Sequence, residues 1–227
     1  MIIPHAFNEK PFPHLVVDDA VNQQRLTDAY DAWPSADNEG WKQQQRGKRC
    51  MSDRDKIPLP LLGIIDWLNG PEVITQLKRL SGISDLIADH HLSGGGLHEI
   101  EPGGSLGMHV DFNRLATRYR RVNVLLYLNP GWKDEWGGHL LLWDLPKNAV
   151  EKRKIAPVFN RLVIFESTDQ SWHGHPTPLL SPDGVFRRSI ATYYYSEQPP
   201  PTYKVDHSTV YNDRKDSKMG LGALKPK

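Results

Sequence analysis

Hydrophobic and polar positions divide this chain into two parts of different period. In "AVNQQRLTDAYDAW" (20–33), Val21, Leu26, Ala29, Tyr30 and Trp33 fall on one face of a helix, and Pro34 ends it. "LPLLGIIDWLNG" (59–70) and "PEVITQLKRLSG" (71–82) read as two more helices, each closed by a glycine, with Pro71 suited to a first helical turn. Ahead of them "PHLVVDD" (13–19) reads as a short strand. Residues 41–57, "WKQQQRGKRCMSDRDKI", are polar and basic without a period, and predict a long loop or a pair of irregular strands. From about residue 82 the pattern becomes short β-rich runs separated by Gly, Pro, Asn and Asp: "GLHEIE", "GMHVDF", "RRVNVLLYLN", "GGHLLLWD", "RKIAPVFN", "RLVIFES" and "RRSIATYYYS". That spacing predicts a sandwich, barrel or jelly roll. Helices first and one β-unit after them predict an α+β, mainly β fold in a single domain, residues 1–196, with the β core at about 90–196. Residues 197–227 are polar and proline-bearing and read as a tail.

Composition removes several function classes. The formal charge of the 227 residues is +1, which gives no reason to expect a nucleic-acid or membrane partner. Cys50 is the single cysteine, so an intrachain disulfide and a thiolate metal cluster are both excluded. The start, "MIIPHAFNEKPFPHLVV", lacks the charged and apolar regions of a signal peptide, and no run approaches membrane-spanning length. A soluble, cytoplasmic protein is the expectation.

Candidate chemistry lies in "GGSLGMHVDFNRL" (103–115). His109 and Asp111, two apart on an extended strand, face the same way. Two imidazoles and one carboxylate on one face of a first-row divalent ion leave positions open for oxygen chemistry. The third ligand must then come from far along the chain, and "DQSWHGHPTPL" offers His173 and His175, sixty-two and sixty-four residues after Asp111. Four or five strands fit in that separation, enough for a jelly roll to return beside its earlier strand. In "GVFRRSIATYYYS", an arginine opening a buried strand is costly unless it meets an anion. Arg187 and Ser189 share a face there and Arg188 points away, so Arg187 is the expected carboxylate anchor. A zinc hydrolase is the rival metal reading, but it lacks a His-Glu-x-x-His helix and leaves Arg187 unexplained. A cupin-like binding domain would want more histidines on the early strand.

"HVD", "YLNPGW", "WGGHLLLWD", "FES", "SWHGHP" and "RRS", with the amino-terminal "PFPHLVVDDAV", resemble the iron(II)- and 2-oxoglutarate-dependent oxygenases, in their prolyl 4-hydroxylase-like branch. The resemblance covers about residues 90–196. It implies a double-stranded β-helix, Fe(II) held by His109, Asp111 and His173, and 2-oxoglutarate chelated at the metal and anchored by Arg187 with Ser189 on the same face. It further implies Tyr127 against the co-substrate carboxylate and Leu140 as an apolar wall. The loop between His173 and Arg187 is longer than in many relatives, so His175 stays open as the alternative ligand. The expected reaction uses O₂ to hydroxylate an unactivated C–H, the carboxylate at 111 favouring hydroxylation over halogenation. The expected substrate is a prolyl or other peptidyl residue or a free amino acid; another small metabolite and a non-catalytic binding module are the alternatives. Asn113, Arg114 and Trp143 are candidates for substrate contact, as are Arg46, Lys48 and Arg49 in a segment placed like the lid of relatives.

Overall fold

A computed structural model describes residues 3–4, 6–144 and 152–212. In chain order its elements are β1 (His14–Val17), α1 (Gln23–Asp31), β2 (Lys42–Gln43), β3 (Lys48–Met51), α2 (Leu59–Leu68), α3 (Pro71–Ser81), β4 (Ile87–Ala88), β5 (Gly96–Ile100), β6 (Leu106–Val110), β7 (Arg114–Leu115), β8 (Arg118–Tyr127), β9 (Leu140–Asp144), β10 (Lys152–Ile155), β11 (Leu162–Glu166), β12 (Ser171–His175), β13 (Arg187–Ser196) and β14 (Val210–Tyr211). The expected mainly β fold is found, as two antiparallel sheets. The larger runs β1-β11-β8-β13-β5-β3-β2, with β4 on β13 and β7 on β8; the smaller runs β10-β9-β12-β6-β14.

Local chemistry explains the helices. The Asn22 side chain accepts from the Arg25 N–H and starts α1. Pro71 begins α3, and Gly82, at φ 71°, ends it in the left-handed region that glycine enters without strain. Gly70, expected to close α2, is instead the residue before α3, and Asn69 caps α2. The apolar faces of the three helices join one core with the outer face of the larger sheet, where Leu26, Leu61, Ile65 and Leu77 meet Val122, Val124, Ile164 and Ile190. Tyr194 ties α2 to β13 by donating its hydroxyl to the Leu68 carbonyl.

Between the sheets, Tyr127, Val163 and Phe165 pack against Leu140, Leu142 and Ile155. This cluster fills one end of the gap and leaves the other to polar side chains.

Of the two readings of residues 41–57, the pair of strands is the one found: β2 and β3 form a hairpin, which extends the larger sheet through β3 pairing with β5. The chain after Ser196 is not wholly a tail: it returns so that β14 pairs with β6, Val210 opposite Val110 and Tyr211 opposite His109. Polar composition hid this because the segment is held by side-chain and backbone hydrogen bonds more than by apolar burial. The rest of the expected tail, 213–227, lies outside the described residues.

Candidate metal centre and its pocket

β12 lies between β6 and β9, and His173 pairs directly with His109. Asp111, just past the end of β6, completes a group with these two whose donor atoms all lie within 4.8 Å of one another. His109 Nε2 is 3.6 Å from Asp111 Oδ1, and His173 Nε2 is 3.3 Å from Oδ2. Each imidazole is aimed by its other nitrogen. His109 Nδ1 lies 2.8 Å from the Gly107 carbonyl and His173 Nδ1 lies 2.9 Å from the Ser171 carbonyl. A carbonyl only accepts, so both Nδ1 atoms carry the proton and both Nε2 lone pairs face the shared point. Phe165 against His173 (4.7 Å between ring centroids) and Tyr211 against His109 (5.3 Å) fix the rings from outside. Two imidazoles and one carboxylate gathered on one side of a point suit iron(II), whose remaining positions stay open.

The carboxylate is steered by two residues that the sequence reading did not single out. Arg120, buried to 2% exposure, donates from Nη2 to Asp111 Oδ2 at 2.8 Å, and Asn123 Nδ2 donates to the same oxygen at 2.8 Å. Arg120 Nε also donates to Asn123 Oδ1, and its guanidinium carbon lies 3.4 Å from the centroid of the Tyr193 ring. Burial pushes the Asp111 carboxyl up, but the Arg120 charge, with His173 and the hydrogen bonds of both imidazoles, outweighs it and holds the group well below the usual carboxylate range.

A cavity of about 220 Å³ opens from this centre, and Leu140, Ser189, His98, His175 and Arg187 line it. Arg187, 5% exposed, donates from Nε to the Gly138 carbonyl (2.7 Å) and from Nη2 to the Tyr127 hydroxyl (3.1 Å). These two bonds lock the fork and leave other N–H groups for a ligand. Tyr127 is fully buried beside Arg187 and does not itself line the cavity. Burial raises its pKa against the pull of Arg187, so the phenol keeps its proton.

The expected substrate contacts fare differently. Asn113 is buried and its amide is used internally, donating to Asp169 and the Val205 carbonyl and accepting from the His207 N–H. It secures the returning carboxy-terminal segment, whose return the sequence reading did not foresee. Arg114 pairs with Asp206 at 2.8 Å on the rim of an adjoining groove. Trp143 is on the opposite face of β9 from Leu140, against Trp172 and under Lys152, and does not line the cavity. Arg49 donates to Glu99, as does Arg188 from the other side, so Arg49 is structural, while Lys48 lines the cavity and Arg46 a neighbouring groove. His139 bonds Asp134 at 2.6 Å, away from the centre.

The family model of the 2OG-Fe(II) oxygenase superfamily matches residues 95–196. Mouse prolyl 3-hydroxylase OGFOD1 is 36% identical over 89 residues, which are 37% of this chain and only 16% of that relative. Among solved structures, a Trichoplax adhaerens prolyl hydroxylase in complex with a hypoxia inducible factor peptide superposes with a TM-score of 0.60 at 20% identity, covering 81% of this chain and 84% of that one. A Pseudomonas putida prolyl-4-hydroxylase gives 0.55 at 18% identity, over 82% and 92%. HygX from Streptomyces hygroscopicus, solved with nickel, 2-oxoglutarate and hygromycin B, gives 0.52 at 12% identity, over 81% and 82%. The match runs from β5 through β13 and so takes in both strands that bring His109 and His173 together. Residues 95–196 thus match the 2OG-Fe(II) oxygenase superfamily, on a fold shared with prolyl hydroxylases, and the His109–Asp111–His173 group lies inside that match.

Proposed function

We propose that this chain, acting as one domain on a double-stranded β-helix, hydroxylates an unactivated C–H of a prolyl or other peptidyl residue. The reaction balances as substrate C–H, 2-oxoglutarate and O₂ giving C–OH, succinate and CO₂. The observation that carries the reading is the axis of the pocket: a facial His109–Asp111–His173 donor set at one place and a locked guanidinium, Arg187, lining the same cavity. Iron(II) bound by the three would supply the activation of O₂.

The chain's own residues do the positioning. Nδ1–H bonds hold both imidazoles in the donor tautomer. Arg120 and Asn123 both hold Oδ2 of Asp111, which leaves Oδ1 as the oxygen for the metal. Arg187, with Tyr127 behind it and Ser189 on the same face of β13, takes the far carboxylate of 2-oxoglutarate, while Leu140 and Phe165 keep that part of the cavity apolar. The cavity continues past Gly94 and Phe112 into one groove and past Lys48, Leu106 and Tyr211 into another. Openings on two sides suit a segment of polypeptide lying across the centre. The prolyl hydroxylases among the similar proteins agree with that choice. The fold of HygX, solved with hygromycin B, makes a free metabolite the second reading.

The test is anaerobic loading with Fe(II) and 2-oxoglutarate, then air with a panel of peptides and amino acids, measuring succinate and the gain of one oxygen atom by mass. Succinate that tracks a peptide and disappears in His109→Ala is expected. Turnover of small molecules alone would transfer the proposal to the second reading, and no succinate under any condition would end it.

A further inference from the structure

The pocket contains a side chain that the mechanism above does not use. His175 is 3% exposed, lines the cavity, and stands two residues beyond His173 on the same face of β12. It does not belong to the three-donor group, and its cross-strand partner is Leu106 rather than a polar residue. Neither of its ring nitrogens has a hydrogen-bond partner among the described residues, in contrast to His109 and His173, whose Nδ1 atoms are both engaged. An imidazole buried with both nitrogens unpaired is destabilising, and such groups mark places where something from outside the chain completes the bonding. Lys48 and Arg187 line the same cavity as His175 and the three donors, so a ligand reaching from the metal site to the guanidinium occupies the space that His175 borders.

We propose that His175 is a co-substrate-binding residue that donates a hydrogen bond to the carboxylate of 2-oxoglutarate anchored by Arg187. An imidazole offers at least one N–H donor in either protonation state, and a carboxylate is the acceptor the neighbouring cations select. The proposal rests on the co-substrate reading above.

The test uses the Mn(II)-loaded protein and measures equilibrium binding of 2-oxoglutarate by calorimetry, without turnover, in the parent, His175→Val and His175→Gln. Mn(II) affinity is expected to be the same in all three. 2-Oxoglutarate should bind about 10- to 100-fold more weakly to His175→Val, with much of the loss recovered by the donor amide of His175→Gln. The apoprotein carrying His175→Val should melt no lower than the parent, since two unpaired nitrogens are replaced by hydrocarbon; that measurement also certifies its fold. Equal 2-oxoglutarate affinity in His175→Val would show that water completes the imidazole and would overturn the proposal. A selective loss of Mn(II) affinity would overturn it too, making His175 a ligand. A parent that binds Mn(II) but no 2-oxoglutarate would instead remove the co-substrate reading on which this one stands.

Discussion

Arg120→Met isolates the interaction on which the geometry of Asp111 depends. The guanidinium is almost wholly buried, bonds Oδ2 at 2.8 Å, and lies over the Tyr193 ring. Methionine keeps most of the stem volume and removes the charge, so Asp111 keeps a single side-chain amide, that of Asn123, on Oδ2. Removing one partner of a buried ion pair costs about 3–5 kcal/mol, because the other charge is stranded. For a chain of this size about 2–4 °C of melting temperature accompany each kcal/mol, which places the apoprotein roughly 6–20 °C below the parent. Two further measurements separate a stranded charge from lost packing. Asp111→Asn in the Arg120→Met background should recover stability, with a coupling of about 1–3 kcal/mol. Mn(II) should narrow the gap between parent and Arg120→Met, since a bound cation replaces the missing positive charge. Urea unfolding with chelator, followed by circular dichroism, reads the first, and the same titration with Mn(II) the second. Arg120→Met within about 0.5 kcal/mol of the parent, or losses that simply add in the double variant, would refute the reasoning.

Gly174→Ala should cripple metal binding without touching a ligand: a Cβ there would stand 2.6 Å from the Gly107 carbonyl oxygen and 2.9 Å from that of Leu106, so β12 and β6 must part and His173 leaves His109; calorimetric Mn(II) affinity at least about tenfold lower is expected, as for disruption of groups that orient metal ligands. Asn113→Ala removes the amide that holds Val205, His207 and Asp169 together and should cost about 1–3 kcal/mol, with hydrogen exchange at the Asn212 amide, bonded to the Met108 carbonyl, accelerated ahead of the core. Acid should weaken the fold: burial is the largest cause lowering the pKa of both His14 and His98, with the Lys48 charge adding to it at His98. The unfolded chain takes up these protons below about pH 6.5 while the folded chain resists, so their contribution is complete above that pH and lost as pH falls. A urea midpoint that declines between about pH 7.5 and 5.5, less steeply in His14→Gln, is the expected result, and a flat profile would count against it.

Much of the centre was legible because it obeys simple periods. His109 and Asp111 two apart, Arg187 and Ser189 two apart, and Pro71 and Gly82 bracketing a helix all follow from alternation or capping, and each is found as read. What escaped lies where the period breaks. Opposite Tyr194 and Tyr195 of β13 stand Val122 and Arg120 of β8, so Arg121 is an extra residue that bulges out of the ladder. Strict alternation sends Arg120 and Asn123 to opposite faces; the bulge turns both toward Asp111, and no composition signal announces it. The same happens on β6, where the four residues from Leu106 to His109 face only three, from His175 to His173. That irregularity lets His109 reach the centre while Gly107 offers its carbonyl to the ring. The strand β12 is absent from the β-rich runs of the sequence because "SWHGH" interrupts the apolar alternation with polar residues facing a polar cavity. The return of β14 was invisible for a related reason: its anchor is the amide of Asn113, ninety-four residues from His207, and a long-range polar tie leaves no local pattern. Ladders disturbed on both sides of the pocket have a physical consequence. A regular sheet would satisfy its own backbone and present apolar alternation to the interior, whereas bulged strands turn two adjacent polar groups inward and can close a three-ligand site on chain segments sixty residues apart.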